Sequence, residues 1–181
     1  MAERRVARVL LAVVMTAPLG GLIASRAGAA AATGLRCSGL TATAHFRPAL
    51  PVLSEGKKVA STVTSSGTLK HCNGGSVAGG TFAITYKLTG NCRTLLTYSP
   101  TPTTIRFTTI WNTNQRSTAT VVLRAIKAEA TKRTVTGTIT SGLFTGSHLT
   151  TTFSFALVTK SGCLTTHLKE LSVKGGPVVI K

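Results

Sequence analysis

Apolar and polar residues alternate along three long segments of the chain, at residues 81–88, 104–111 and 147–158. Alternation with a period of two is the pattern of a β-strand that is buried on one face and exposed on the other. In residues 81–88 the aromatic and larger aliphatic side chains occupy even positions, and threonine, alanine and lysine occupy odd positions. Weaker alternation predicts further strands at residues 40–46, 58–64, 118–125, 134–140, 167–173 and 178–180.

Clusters of glycine, proline and asparagine separate these segments, which indicates short turns. The one stretch that resembles a helix, residues 125–132, is short and could instead be the turn of a hairpin. Because no long helix is available to connect parallel strands, we expect antiparallel pairing. Eight or nine strands with short turns are typical of a β-sandwich or a β-barrel. Of the two, we predict one antiparallel β-sandwich domain, similar to an immunoglobulin-like fold, over residues 31–181.

The N-terminal residues have the three parts of a secretory signal peptide. Residues 1–8 contain three arginines, residues 9–24 are mainly apolar, and small residues follow, with an A-x-A site at residues 27–29. The apolar run, interrupted by Pro18, is shorter than the roughly 20 residues that span a bilayer. We therefore predict a signal peptide over residues 1–30, cleaved within residues 29–32, and a secreted protein that is not integral to the membrane.

Four cysteines follow the predicted signal peptide: Cys37, Cys72, Cys92 and Cys163. An even number of cysteines in an exported protein predicts disulfides, here two. Three pairings are open, and we favour Cys37–Cys72 with Cys92–Cys163 because each joins well-separated parts of the predicted sheets. The alternative is a zinc site that uses some of these thiols with His71 or His167.

The chain is strongly basic, with 21 Lys and Arg against 4 Glu, no Asp, and a formal net charge of +17. Three of the four acids, Glu55, Glu129 and Glu170, lie outside the predicted signal peptide. The absence of Asp excludes an Asp-based catalytic triad, an Asp pair and an EF-hand. The net charge predicts long-range attraction to anionic polymers. The basic residues are scattered without a nucleic-acid-binding motif, so we expect no specific nucleic-acid partner.

Histidines are the main candidates for acid–base or metal chemistry, and the chain has four: His45, His71, His148 and His167. None has a metal-binding spacing. His167 and Glu170 lie three residues apart, but they would point to opposite faces of a strand. No serine stands in a G-x-S-x-G motif. The sequence therefore predicts no catalytic residue, no metal and no cofactor.

Three further features are candidates for ligand contact. The glycine-rich residues 73–80 could bind an anion through backbone N–H groups, although a plain hairpin connection is the simpler interpretation. Trp111 could stack on a ligand, but its strand phase places it in the core, and Tyr98 is a weaker candidate of the same kind. Lys87 and Arg106 could share one solvent-facing surface.

The signal peptide, the four cysteines and the phrases at residues 67–75, 90–92 and 137–146 resemble a group of small secreted proteins of actinobacteria. The resemblance covers most of the mature chain and rests on turn glycines and cysteines. It implies a β-sandwich of uncharacterised function, and it transfers no active-site residue.

These observations predict a secreted, basic, non-enzymatic binding or cell-surface protein whose partners are anionic cell-envelope polymers or another protein. One alternative is a small hydrolase, which would need a concave pocket that gathers a histidine with Glu55, Glu129 or Glu170. A second is an exported toxin or protease inhibitor. It would present Arg93 or Lys70 on a rigid loop beside a cysteine.

Overall fold

A computed structural model describes residues 34–97, 101–157 and 163–181. The predicted signal peptide and the candidate Tyr98 lie outside the described residues. The elements follow in the order β1 (Leu35–Leu50), β2 (Val59–Asn73), β3 (Gly80–Gly90), α1 (Cys92–Leu96), β4 (Thr103–Trp111), β5 (Arg116–Ile126), β6 (Glu129–Gly142), β7 (His148–Leu157), β8 (Leu168–Gly175) and β9 (Val178–Ile180), with a 3-10 turn at Leu53–Glu55.

All nine predicted strands are present, and each observed strand pairs antiparallel with its neighbours. Several strands are longer than the alternation indicated, because residues 65–73 continue β2 and residues 129–133 begin β6. Residues 125–132 form the hairpin between β5 and β6 rather than a helix.

The strands close into an eight-stranded antiparallel barrel, so the predicted immunoglobulin-like β-sandwich is wrong. Each strand from β1 to β8 pairs with the next one along the chain, and β8 pairs back with β1. The short β9 continues the path of β8 between β7 and β1, where Ile180 lies opposite both Leu35 and Leu149. Alternation looks the same in both architectures, because each has one buried face per strand.

Two glycines inside the strands permit the close approach that coiling the sheet into a barrel requires. A Cβ atom at Gly67 would collide with the backbone oxygen of Thr41 and with Ala42. A Cβ atom at Gly137 would collide with the backbone oxygen of Thr120. Any larger residue at either position would therefore push neighbouring strands apart.

The inward-facing side chains form two buried clusters, one toward each end of the barrel. The cluster at the Trp111 end contains Leu35, Phe82, Trp111 and Ile180. The cluster at the α1 end contains Phe46, Leu50, Cys92 and Leu171. We use these two names for the ends of the barrel below.

Each end of the barrel carries one disulfide. Cys37–Cys72 joins β1 to β2 at the Trp111 end, and Cys92–Cys163 joins α1 to the segment before β8 at the α1 end. This is the pairing that the sequence favoured, and it excludes the zinc alternative because no thiol is free. Closed loops of 35 and 71 residues correspond to about 4 kcal/mol of stabilisation each in the chain-entropy model.

Candidate functional site

The barrel encloses an apolar cavity of about 160 Å³. All nine described strands and α1 contribute to its wall. Several inward-facing side chains, including Ile84, Phe107, Leu123 and Phe153, are partly accessible although they point into the barrel. They pack against the buried core on one side and line the cavity on the other, and small residues such as Ala42 and Ala119 also line the wall. An eight-stranded barrel has room for filling side chains or one small ligand, and this barrel is incompletely filled.

The Trp111 end of the cavity is closed and its polar groups are satisfied. Phe144 packs edge-on against Trp111, with 5.6 Å between ring centroids. The Trp111 indole donates a hydrogen bond of 2.7 Å to the Ser117 hydroxyl, which in turn donates to the Leu143 backbone oxygen. Trp111 is 3 % exposed, so the prediction that it belongs to the core is confirmed, and it also lines the cavity.

One buried polar atom in the cavity wall has no partner. The Thr151 hydroxyl oxygen is buried and makes no hydrogen bond with any described residue. Thr151 lies on β7 opposite Val135, between the inward-facing Leu149 and Phe153. A buried hydroxyl without a partner costs about 1–3 kcal/mol, so a ligand group that bonded to it would gain that free energy.

Arg133 lies at the α1 end of the cavity. Its guanidinium donates hydrogen bonds to the backbone oxygens of Ala130 (2.6 Å), Lys132 (2.8 Å) and Leu95 (2.8 Å). It also sits over the Phe155 ring, 5.2 Å from the centroid. No carboxylate of the described residues forms an ion pair with it. Arg133 is therefore a half-buried cation beside an apolar cavity and without a counter-ion among these residues.

Tyr86 faces the same end of the cavity from β3. Burial raises the pKa of its phenol, and the nearby Arg133 charge opposes that rise. Conversely, burial lowers the pKa of Arg133, and Tyr86 opposes that shift. The two groups thus interact across the mouth of the barrel, and each is partly removed from water.

The wall of the barrel opens beside Tyr86. The pairing of β3 with β4 ends at Ile84 and Phe107, and the two strands separate toward the α1 end. Helix α1 follows β3 at this gap, and Leu95 of α1 lines the cavity. The helix contacts β3 and β6, so it lies across the α1 end of the barrel.

Helix α1 is fixed at both ends. Its N-cap Asn91 accepts a hydrogen bond from the Thr94 N–H in a capping box and donates one of 3.1 Å to the Lys57 backbone oxygen. Cys92 is tied to Cys163, and near the C-terminal end Arg133 holds Leu95. Helix α1 was not predicted from the sequence. The Asn-x-x-Thr cap was the available signal, but one turn of helix is too short to show periodicity.

The histidines and glutamates meet on the outer surface, away from the cavity. His167 contacts Glu55 at 2.5 Å and His45 contacts Glu170 at 3.3 Å, with all four side chains exposed. His167 and Glu170 thus have separate partners. Neither pair lines the cavity, whose wall contains no histidine or glutamate among the described residues. Within the described ranges, no cluster of three or more His, Cys or acidic residues could hold a metal ion.

The other candidates have ordinary structural roles. Residues 73–80 connect β2 to β3, as the simpler interpretation predicted, and the Ala78 and Gly79 N–H groups donate to the Asn112 side chain. Lys70 lies within β2 and Arg93 within α1, so neither is on the protruding loop that the inhibitor alternative required.

Exposed lysines and arginines lie on β1 to β5 and on β8. Lys87 and Arg106 are both exposed, on the two strands that flank the gap between β3 and β4. Each described glutamate already has a partner, which is Lys132 in the case of Glu129. Most of the surface positive charge is therefore uncompensated.

No helix among the described residues is long and apolar enough to span a membrane. Comparisons with family models, with curated proteins and with solved structures find no match to this chain, so its resemblance to small actinobacterial secreted proteins stays a prediction.

Proposed function

We propose that this chain is an exported, non-enzymatic binding protein that holds one small apolar molecule inside its barrel. The observation that carries the proposal is the apolar cavity enclosed by all the described strands. Its wall consists mainly of aliphatic and aromatic side chains, with a few polar groups at defined positions. This composition is typical of sites that bind small molecules.

The size of the cavity limits the ligand to about one ring. At 160 Å³ it is close to the roughly 150 Å³ apolar cavity that takes up benzene or xenon in another protein. For a ligand of six or seven non-hydrogen atoms, we expect a binding free energy of about −4 to −6 kcal/mol, which is weaker than the maximum of about −1.5 kcal/mol per non-hydrogen atom. This range corresponds to a Kd between about 1 mM and tens of micromolar.

Toluene is a suitable probe, and Trp111 reports on it because it is the only tryptophan and lines the cavity. We expect saturable toluene binding by calorimetry together with a change in tryptophan fluorescence. Ala119→Leu would fill the cavity from an inward-facing, 3 % exposed position and should abolish binding. The matched control is Ala60→Leu, an exposed position on β2, and it should bind normally. Toluene binding that persists unchanged in folded Ala119→Leu protein would contradict the proposal.

A second candidate function is association with anionic cell-envelope polymers, and it is favoured by the surface charge. The described glutamates are all engaged in ion pairs, and the chain has 21 basic residues. Retention on an anionic wall polymer should be strong at low salt and lost as salt shortens the Debye length. An uncharged polysaccharide is the control matrix. Equal retention on both matrices, or none at low salt, would reject this function.

A further inference from the structure

Arg133 has hydrogen-bonding capacity that the protein itself does not use. A guanidinium has five N–H donors, and three of them reach the backbone oxygens of Ala130, Lys132 and Leu95. The Nε–H and one Nη2–H group donate to no acceptor among the described residues. A cation that is withdrawn from water and lacks a counter-ion is costly unless an anion joins it.

The Thr151 hydroxyl lies apart from this cation, because the guanidinium covers the Phe155 ring and donates to Leu95 at the α1 end. Arg133 lies opposite Phe153, and Thr151 is two residues before Phe153 on the same face of β7. Phe155 lies on the other side of Phe153 from Thr151 along β7, so the guanidinium extends away from Thr151. Tyr86 approaches Arg133 from the other side of the mouth. The cation with free donors therefore lies at the α1 end, whereas Thr151 lies opposite Val135 of the Trp111-end cluster.

We propose that the cavity binds a small monocarboxylate, with its single ring or branched alkyl group among the apolar residues and its carboxylate on Arg133. The proposal rests on the proposed function, since it assigns a ligand class to the same cavity. A carboxylate is planar and accepts two parallel hydrogen bonds from a guanidinium. One carboxylate would therefore use the Nε–H and the Nη2–H donors that the described residues leave free.

The high net charge of the protein attracts any anion. The experiment must therefore distinguish binding in the cavity from non-specific binding at the surface. Arg124 provides the control because it is exposed on β5, where it lies opposite Thr134, the neighbour of Arg133. Arg133→Met and Arg124→Met remove the same charge at almost the same place, one beside the cavity and one outside. A carboxylate inside the barrel is also screened less by salt than one on the surface.

The experiment measures the Kd of benzoate, toluene and benzylamine by calorimetry and Trp111 fluorescence on the oxidised, full mature chain. We expect benzoate to bind at least tenfold more tightly than toluene, and benzylamine no more tightly than toluene. Arg133→Met should raise the Kd of benzoate at least tenfold, because the loss of hydrogen bonds to a charged group weakens binding by about tenfold or more. The Kd of toluene should change by no more than about twofold. Arg124→Met should leave both ligands unchanged.

Arg133→Lys keeps the test decisive if Arg133→Met fails to fold. This variant keeps the charge but loses the planar pair of donors, so it should weaken benzoate without weakening toluene. The carboxylate proposal is overturned if wild-type protein binds toluene and benzoate equally, or if Arg124→Met matches the loss in Arg133→Met. An unchanged benzoate affinity in folded Arg133→Met or Arg133→Lys protein overturns it as well. Failure of all three ligands to bind overturns the proposed function itself, so the two failures are distinguishable.

Discussion

Removing the Thr151 hydroxyl should stabilise the unliganded protein, which is unusual for a change in a barrel interior. Thr151→Val exchanges a hydroxyl for a methyl group of nearly the same shape. The hydroxyl oxygen is buried and has no hydrogen-bond partner among the described residues. The new methyl group would face Leu149, Phe153 and the apolar cavity.

The magnitude follows from the desolvation of the hydroxyl. An unsatisfied buried hydroxyl costs about 1–3 kcal/mol relative to its hydrated state in the unfolded chain. The valine escapes that cost and gains one buried methyl group, so we expect an increase of about 1–2 kcal/mol in the free energy of unfolding. For a domain of this size the increase corresponds to a rise in Tm of about 2–6 °C.

Two control variants distinguish the effect on stability of removing a hydroxyl without a partner from the effect of removing any hydroxyl. Ser117→Ala removes a buried hydroxyl that does have partners, the Trp111 indole and the Leu143 backbone oxygen. It should destabilise the protein by about 1–3 kcal/mol, the opposite sign. Thr150→Val changes an exposed neighbour on β7 and should have an effect within about 0.5 kcal/mol. Urea unfolding of the disulfide-bonded protein, analysed with a common m-value, measures the free energy of unfolding of all three variants.

A loss of stability in Thr151→Val similar to that in Ser117→Ala would refute the reasoning. It would mean that the Thr151 hydroxyl has a partner, and an ordered water in the cavity would be that partner. The cavity would then be wet, and the ligand class argued from its apolar wall would fail with it.

Three further predictions concern other parts of the molecule. Replacing Cys92 and Cys163 together by alanine should lower the free energy of unfolding by about 4 kcal/mol, and a loss below about 1 kcal/mol in urea unfolding would contradict the role of this disulfide. In a Tyr98→Phe background, the ultraviolet absorbance of tyrosinate should show that the pKa of Tyr86 lies above its ordinary value of about 10. Arg133→Met should raise this pKa further. A titration midpoint at or below about 10 would be inconsistent with a buried phenol. Because the unfolded chain then loses its phenolic proton first, stability should fall as pH rises from about 10 toward the folded pKa. N-terminal sequencing of protein from the growth medium should find cleavage within residues 29–32, and protein that stays in the cells with Met1 intact would reject export.

Local features of the fold could be predicted from sequence, because they depend on short-range patterns. Alternation located every described strand, and the segment between β2 and β3 is the simple connection that its glycines indicated. The preferred cysteine pairing is also present. The extra length of β2 and β6 was missed because serine, glycine and threonine at residues 65–68, and charged residues at residues 129–133, weaken the alternation of apolar residues.

Closure of the barrel could not be predicted in the same way. It depends on pairing β1 with β8 and β9, which lie at opposite ends of the sequence. Nothing in the alternation of β1 says whether its second edge is free, as in a sandwich, or paired. Gly67 and Gly137 were noticed only as parts of glycine phrases, and their meaning as points of close strand approach depends on knowing their neighbours.

Two polar residues of the cavity wall, Arg133 and Thr151, could have been recognised from the sequence. Arg133 shares its strand phase with Val135 and Ile139, so the alternation itself places a cation on the inner face. Thr151 likewise shares the phase of Leu149 and Phe153. A basic or hydroxyl residue in an inward position is the pattern to look for, but the empty space beside it depends on side-chain sizes on strands across the barrel.

The pairing of β1 with β8 and β9 also determines how this chain must reach its native state. Contacts between such distant segments give a high contact order, which slows folding. Before β8 and β9 pair with β1, one edge of β1 has unpaired backbone N–H and C=O groups, and another chain can pair with them. A refolding solution should therefore lose protein to aggregates as concentration rises, and a helper that shields the outer edge of β1 should rescue the yield.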